Sequence, residues 1–268
     1  MKIKTFIVDS FTNTPFKGNP AGVCLLETSI AADIMQSIAT ELNVSETAFL
    51  LQTENNHFSI RYFTPTVEID FCGHATLAAS KIILDTLNHE TVDFTTHKGL
   101  QLHATLEDEY IKMLFPLYET TAYSPNQQLQ DAFGLKDIIS ARFSKELDMV
   151  IIEVKDKQTL LNIDPNYQKA IESSDTIKEV VITSRSGDSE YDFYSRCFCP
   201  WIGINEDPVT GASHSVLAKY WSDILRKKEM SAFQVSNRGG FLKLKIISDT
   251  ALEVRSNARI ILEGKINL

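Results

Sequence analysis

Two apolar patterns of helical spacing organise this chain. Ala75, Ala78, Ala79, Ile82 and Ile83 recur three and four residues apart, and so do Val216, Leu217, Tyr220, Trp221, Ile224 and Leu225. In both, the apolar positions spread well beyond one stripe, so both helices are predicted to be buried. Each follows a short polar turn that carries glycine. The first is Phe71-Cys72-Gly73-His74-Ala75-Thr76; the second runs from Asn205 through Glu206-Asp207-Pro208-Val209-Thr210-Gly211-Ala212-Ser213 to His214. A helix start offers unpaired N–H groups and a partial positive charge. Two such starts facing one another would cradle a carboxylate or oxyanion. The working expectation is therefore two similar halves with a small acidic metabolite held between them.

Elsewhere the pattern favours strands. Lys2 to Ser10 alternates, and Phe11 to Pro20 is a loop rich in turn formers. Ala21 to Leu26 is a short apolar strand. Thr28 and Ser29 are placed to cap a helix whose Ile30, Ile34, Met35, Ile38 and Leu42 share a face. Strands are predicted over Ala48 to Gln52 and His57 to Thr64, and after the first buried helix over Thr91 to Phe94, Leu100 to Leu106 and Tyr110 to Phe115. Pro116 to Pro125 is irregular and marks the boundary between domains 1–117 and 118–268, with the alternative that the last strand returns to the first domain. Beyond it the order partly repeats. Gln127 to Phe133 and Asp164 to Glu172 are predicted helices. Met149 to Val154, Glu179 to Thr183 and Tyr191 to Cys199 are predicted strands. The second buried helix follows, then strands over Phe233 to Ser236, Leu242 to Ile247, Leu252 to Ser256 and Arg259 to Leu262. Many strands around one apolar helix per half predict an α+β fold of two pseudo-symmetric domains, each a curled mixed sheet or barrel enclosing a helix. Neither G-x-G-x-x-G nor a P-loop occurs, and regular βαβ alternation is missing.

Composition narrows the function. The 268 residues carry a formal charge of -9, against the basic face usual for a nucleic-acid protein. No apolar run is long enough to cross a bilayer, and the N-terminus has no signal core, so a cytoplasmic protein without a membrane partner is expected. The cysteines are Cys24, Cys72, Cys197 and Cys199, too few for a disulfide scaffold. Cys197 and Cys199 should face the same side of a strand. A second close pair of zinc ligands is not visible, so no metal is expected and Cys24, Cys197 and Cys199 read as small hydrophobes.

Several polar residues could do chemistry. Glu46 stands between a helix and a strand, where a glutamate is ordinarily a solvated charge; in partly apolar surroundings it would hold a proton more tightly and could pass it to and from carbon. His74 at a helix start is either a local hydrogen-bonding residue or a ligand contact or second acid/base, since histidine titrates near neutrality. Asp207 before Pro208 should be extended; it would cap the second helix, orient a substrate or the partner base, or do both. Gly73 and Gly211 allow close backbone approach. His214 falls inside the second helix and is expected to be packed or exposed rather than catalytic. Cys72 could serve as a carbon base if the helix start lowered its pKa. Its symmetry counterpart would be Thr210, whose hydroxyl is too weak an acid for the second base of a two-thiol racemase.

Taken together, Asp9-Ser10-Phe11-Thr12 with Gly18-Asn19-Pro20, Ser45-Glu46-Thr47-Ala48-Phe49, Phe63-Thr64-Pro65, Cys72-Gly73-His74-Ala75-Thr76, Arg196-Cys197-Phe198 and Glu206-Asp207-Pro208-Val209-Thr210-Gly211 resemble the phenazine biosynthesis PhzF-like family, within the diaminopimelate-epimerase-like fold. The resemblance covers nearly the whole chain. It implies two pseudo-symmetric domains with the active site between them, a homodimer, and a cofactor-free isomerisation in which a glutamate shuttles a proton between carbons. By motif that glutamate is Glu46, assisted by His74 and Asp207. Asn19, Cys72, Gly73, Thr210, Gly211, Ala212 and Ser213 are the implied substrate-binding positions, for a small anionic carboxylate. The family often reads Thr-Gly-Ser-Ala where this chain has Thr210-Gly211-Ala212-Ser213, which argues against the phenazine precursor as substrate. The competing expectations are an amino-acid epimerase or racemase dependent on Cys72, and a non-catalytic protein that binds a metabolite or another protein.

Overall fold

The computed structural model describes residues Met1–Leu268, which divide into two compact units: Met1–Leu114 with Val254–Leu268, and Phe115–Glu253. The sequence boundary at 117 lies three residues past this division. The last 15 residues, Val254–Leu268, fall in the first unit, so a second domain running to 268 gives way to the alternative in which the last strand returns. The reason is pairing: the C-terminal strand Ala258–Asn267 runs antiparallel to the N-terminal strand over its whole length, from Lys2↔Asn267 to Ser10↔Ala258. No helix is long and apolar enough to cross a membrane.

The first unit contains β1 (Lys2–Ser10), β2 (Asn19–Leu26), α1 (Ala32–Leu42), β3 (Glu46–Glu54), β4 (His57–Phe63), β5 (Glu68–Ile69), α2 (Gly73–Leu87), β6 (Thr91–Thr96), β7 (Gln101–Glu107) and β8 (Tyr110–Pro116). Helix α2 packs against β1, β2, β3, β6, β7 and the C-terminal strand, so the sheet wraps it. Its alanines, Ser80 and Thr76 keep it narrow enough to be surrounded, and Leu77, Ile82, Ile83 and Leu84 fill the space to the strands. Helix α1 lies on the other side of β3, where Met35, Ile38 and Ala39 join Phe49, Phe63 and Cys24. Its start is Ala31, with no side-chain cap, so neither Thr28 nor Ser29 caps it. Covered on both faces, β3 reads as an unbroken apolar run from Ala48 to Leu50.

The second unit contains β9 (Thr121–Ala122), α3 (Gln127–Phe133), β10 (Ile138–Ser144), β11 (Met149–Val154), α4 (Lys157–Leu161), α5 (Tyr167–Glu172), β12 (Glu179–Arg185), β13 (Phe193–Cys199), β14 (Ile204–Asp207), α6 (Gly211–Leu225), β15 (Glu229–Gln234), β16 (Gly240–Ser248) and β17 (Ala251–Ser256), whose end crosses into the first unit. Here α3, α4 and α5 cover one side of the sheet, with Leu129, Phe133, Leu160 and Ala170 against Val150, Val180 and Phe198. Helix α6 packs on β15 and β16, and its Trp221 lies flat on Phe193 of β13, ring centroids 5.5 Å apart. β10 and α4 escape the sequence reading. β10 alternates only weakly, and α4 spans Lys157–Leu161, too short for a helical period to declare itself.

The two units repeat one another in register. Parallel β2–β3, antiparallel β3–β4, parallel β4–β6 and antiparallel β6–β7 are matched by β11–β12, β12–β13, β13–β15 and β15–β16 with the same senses. Thr47 pairs with Phe63, and Val180 pairs with Phe198 in the same place. The repeat extends to side chains. Arg61 on β4 binds Glu68 on β5, and Arg196 on β13 binds Glu206 on β14, each with Nε 2.7 Å from Oε1. Both guanidiniums also lie over the ring two residues on, Phe63 and Phe198. Each arginine thereby ties the short strand before the buried helix to the main sheet.

Trp221 is fully buried, and its indole N–H donates to Thr183 Oγ1 at 3.0 Å. Trp221→Ala should cost roughly 3–5 kcal/mol through the cavity it leaves. The expected observation is a lower urea midpoint at unchanged slope; a midpoint within error of the wild type would contradict this account of the second core.

Candidate functional site

Strand alternation explains why Glu46 is not a surface charge. Phe49 faces α1, so Glu46, Ala48 and Leu50 face α2, and Glu46 begins β3 beside the start of that helix. Glu46 is only 8% exposed and His74 7%. His74 Nε2 stands 3.1 Å from Glu46 Oε2, an ion-pair distance. The approach lacks hydrogen-bond alignment, and Oε2 is a buried carboxylate oxygen without a hydrogen-bond partner.

The other imidazole nitrogen faces two more predicted residues. His74 Nδ1 lies 3.3 Å from Cys72 Sγ and 3.4 Å from Asn19 Nδ2. An amide nitrogen only donates, so in the neutral ring Nδ1 accepts and Nε2 carries the proton, beside Glu46. Ser45 Oγ donates to Asn19 Oδ1 at 3.3 Å, which orients the amide. Ser10 Oγ donates to the His74 carbonyl at 2.7 Å and fixes the helix start against β1. Ser10 lies inside a motif quoted above, but its contact with His74 spans 64 residues and has no local signal. Gly18 delivers Asn19: at φ +67, an added Cβ would sit 2.0 Å from the Ser10 carbonyl oxygen.

Electrostatics corrects one expectation. Burial and the Glu46 carboxylate raise the Cys72 pKa, outweighing His74 and the Ala75 N–H at the helix start, so the thiol is not activated. For His74 burial opposes the charged form, but the Glu46 carboxylate and the hydrogen bond with Cys72 favour it and raise its pKa above the ordinary value. Neither buried helix has a side-chain cap: the first residues outside are Cys72 for α2 and Thr210 for α6, whereas Asn126, Asp156 and Asn166 cap α3, α4 and α5. Gly73 and Gly211 thus open helices whose N-cap residues make no side-chain cap hydrogen bond.

The remaining predicted residues lie in the second unit. Asp207 ends β14, Thr210 stands at the N-cap of α6, and Asp207 Oδ2 accepts from Thr210 Oγ1. Gln234, which the sequence reading missed, closes this turn. Its Nε2 donates to the Asp207 carbonyl at 2.6 Å, and its Oε1 accepts from the Thr210 N–H at 3.0 Å. Nothing local marks Gln234, since it comes from β15, beyond α6. Ser213 does not replace the hydroxyl missing at Ala212: its Oγ donates to the Thr210 carbonyl at 2.9 Å. On the same side of the sheet lies Glu179, pushed up to about 7 by burial and by Asp207.

Residues 8–265 match the family described as phenazine biosynthesis-like protein. The chain is similar to a mouse phenazine biosynthesis-like domain-containing protein, 38% identical over 98% of this chain and 99% of the relative. It is 42% identical to an uncharacterized isomerase of Halalkalibacterium halodurans, over 93% of each. Among solved structures, a PhzF-family protein of Enterococcus faecalis superposes with a TM-score of 0.93 at 35% identity over the full length of both chains. A hydroxyproline epimerase from Agrobacterium vitis shares the fold, with a TM-score of 0.59 at 12% identity over 99% of this chain and 92% of its own.

His214 is packed, as expected of it. Its Nδ1 lies 2.8 Å from the Thr210 carbonyl, which can only accept, and its Nε2 has no partner. Burial lowers its pKa from 6.5 to about 4. The folded state therefore binds fewer protons than the unfolded state between these values. Its contribution is intact above pH 6.5, falls as pH drops and levels off near pH 4, after a loss of roughly 3 kcal/mol. Compared by urea melts, wild type and His214→Gln should differ by a pH-dependent amount over that window; a constant difference would contradict the assignment.

Proposed function

This chain belongs to the phenazine biosynthesis-like family, and we propose that it is an isomerase that moves a proton on and off carbon in a small carboxylic acid, with Glu46 as general acid/base. One observation carries the reading: a buried carboxylate oxygen, Glu46 Oε2, has no hydrogen-bond partner and lies 3.1 Å from His74 Nε2. A carboxylate so placed can accept a proton from an acidic C–H and return it to a neighbouring carbon or to the opposite face. His74 stabilises the anionic form before transfer, and when the ring is neutral Asn19, held by Ser45, keeps Nδ1 the acceptor and the proton on Nε2. The unsealed start of α2 suits the acid group of the substrate, or the oxyanion that develops as the proton leaves. Carboxylate and imidazole suffice for such a shift, so the proposal assigns no cofactor. Asp207 is carried as an assisting group on its motif alone. The names of the relatives support an isomerase-type enzyme at the coarser level.

Cys72 is given no proton to carry. Its thiol is held protonated, and Thr210 occupies the matching place before α6. A Cys72-dependent epimerase is thus the weaker reading.

The test is solvent-deuterium incorporation into a panel of small carboxylic and amino acids, followed by NMR. The wild type should label at least one compound at carbon. Glu46→Gln should slow that labelling by about 10²–10⁴-fold, while Cys72→Ala should leave it within severalfold. Full exchange by Glu46→Gln would remove the glutamate from the mechanism. Loss in Cys72→Ala with retention in Glu46→Gln would establish the thiol reading instead.

A further inference from the structure

The pseudo-symmetry gives Glu46 a counterpart. Glu46 precedes Thr47, which pairs with Phe63; Glu179 precedes Val180, which pairs with Phe198. Each glutamate is the first residue of its strand. Glu179 faces the α6 side of its sheet, as Thr183 on the same strand shows by its bond to Trp221. Phe193 on β13 stacks on the same Trp221, so Cys197 and Cys199, an even number of residues on, face that side as well. The second unit therefore gathers a carboxylate and two thiols where the first gathers a carboxylate, one thiol and an imidazole. His74, two residues after the helix-start Cys72, corresponds to Ala212, two residues after Thr210.

The spacing of these atoms is specific. Cys197 Sγ lies 3.7 Å from Cys199 Sγ and 3.7 Å from Glu179 Oε2, and all three donor atoms lie within 4.8 Å of one another. In a tetrahedral zinc site with metal–sulfur bonds of about 2.3 Å and metal–oxygen bonds of about 2.0 Å, two sulfurs stand roughly 3.8 Å apart and a sulfur and an oxygen roughly 3.5 Å. Two edges of a coordination tetrahedron are already formed. We propose that Glu179, Cys197 and Cys199 make a binding site for a thiophilic metal ion such as zinc or cadmium, with a fourth position for a small ligand such as water. Two sulfur donors select such ions over magnesium or calcium. Glu179 is partly exposed while both thiols are buried, so the carboxylate side is the route in. Each thiol releases its proton to solvent as sulfur binds the metal.

The first unit's cluster does not qualify in the same way. His74 Nε2 lies 3.1 Å from Glu46 Oε2 and 4.0 Å from Cys72 Sγ, and the three donor atoms lie within 4.8 Å of one another, but the cluster holds one sulfur instead of two and so lacks the thiol pair that selects a thiophilic ion. The proposal does not depend on the isomerase reading, and its test needs no substrate. The full-length protein, kept reduced, is titrated with cadmium chloride and followed by thiolate-to-cadmium charge-transfer absorbance. One ion per chain is expected. Cys197→Ser and Cys199→Ser should each abolish that band, the double variant Cys24→Ser/Cys72→Ser should retain it, and Glu179→Gln should weaken binding at least about tenfold. Should a Cys197 or Cys199 variant fail to fold, X-ray absorption of the zinc-loaded wild type decides: two sulfurs at about 2.3 Å with oxygen neighbours are expected. No band in the wild type, a band that survives loss of both Cys197 and Cys199, or a shell of one sulfur with imidazole would overturn the assignment.

Discussion

A helix surrounded by strands has nowhere to turn its polar ends except along its own axis. In the first unit α2 is buried over most of its length, and six strands contact it. Its first amide groups must still meet something polar, and no side chain caps them. What gathers around that start is Asn19 from β2, Ser10 from β1 and Glu46 from β3, the strands that form the wall. The polar constellation is thus a consequence of enclosure. Moving α2 outward would let water satisfy these groups and would dissolve the site together with the core.

The same enclosure sets the chemistry of each side chain. Alternation along β3 sends Phe49 to α1 and Glu46 to α2, so a one-residue register slip would place the carboxylate under α1 and an apolar residue beside His74. Burial then sorts the neighbours by charge. It keeps Cys72 a thiol, leaves the His214 imidazole neutral and raises the carboxyl of Glu179, while the Glu46 carboxylate beside His74 favours imidazolium despite burial. Environment, rather than residue type, separates the two histidines.

The two units show one topology serving two ends. The Arg61–Glu68 and Arg196–Glu206 pairs hold the short strand before each buried helix in the same way, and each lies beside a phenylalanine contacted by the guanidinium. On this shared frame the contents of the inner face differ. Glu46 meets an imidazole; Glu179 meets two thiols. Duplicated frames permit this because strand pairing and the arginine ties occupy the backbone and one set of faces, leaving the inward positions at the helix start open to change.

Local physics was enough to write much of this in the chain itself. The spacing of Ala75 to Ile83 and of Val216 to Leu225, the alternation of β1 and β4, and the glycine-bearing turns identify both buried helices, most strands and the order in which they repeat, because period and turn chemistry act over a few residues. The motif around Cys72-Gly73-His74 and that around Asp207-Pro208-Val209-Thr210 mark where polar groups gather. Only the folded chain could decide the rest. Ser10 reaches His74 across 64 residues, Gln234 closes the Asp207 turn from beyond α6, and the C-terminal strand crosses back to β1. It also decided that Cys72 is not activated and that Cys197 and Cys199 share their face with Glu179. Such facts depend on which strand lies beside which and on how much water remains between them, and no window of sequence contains either.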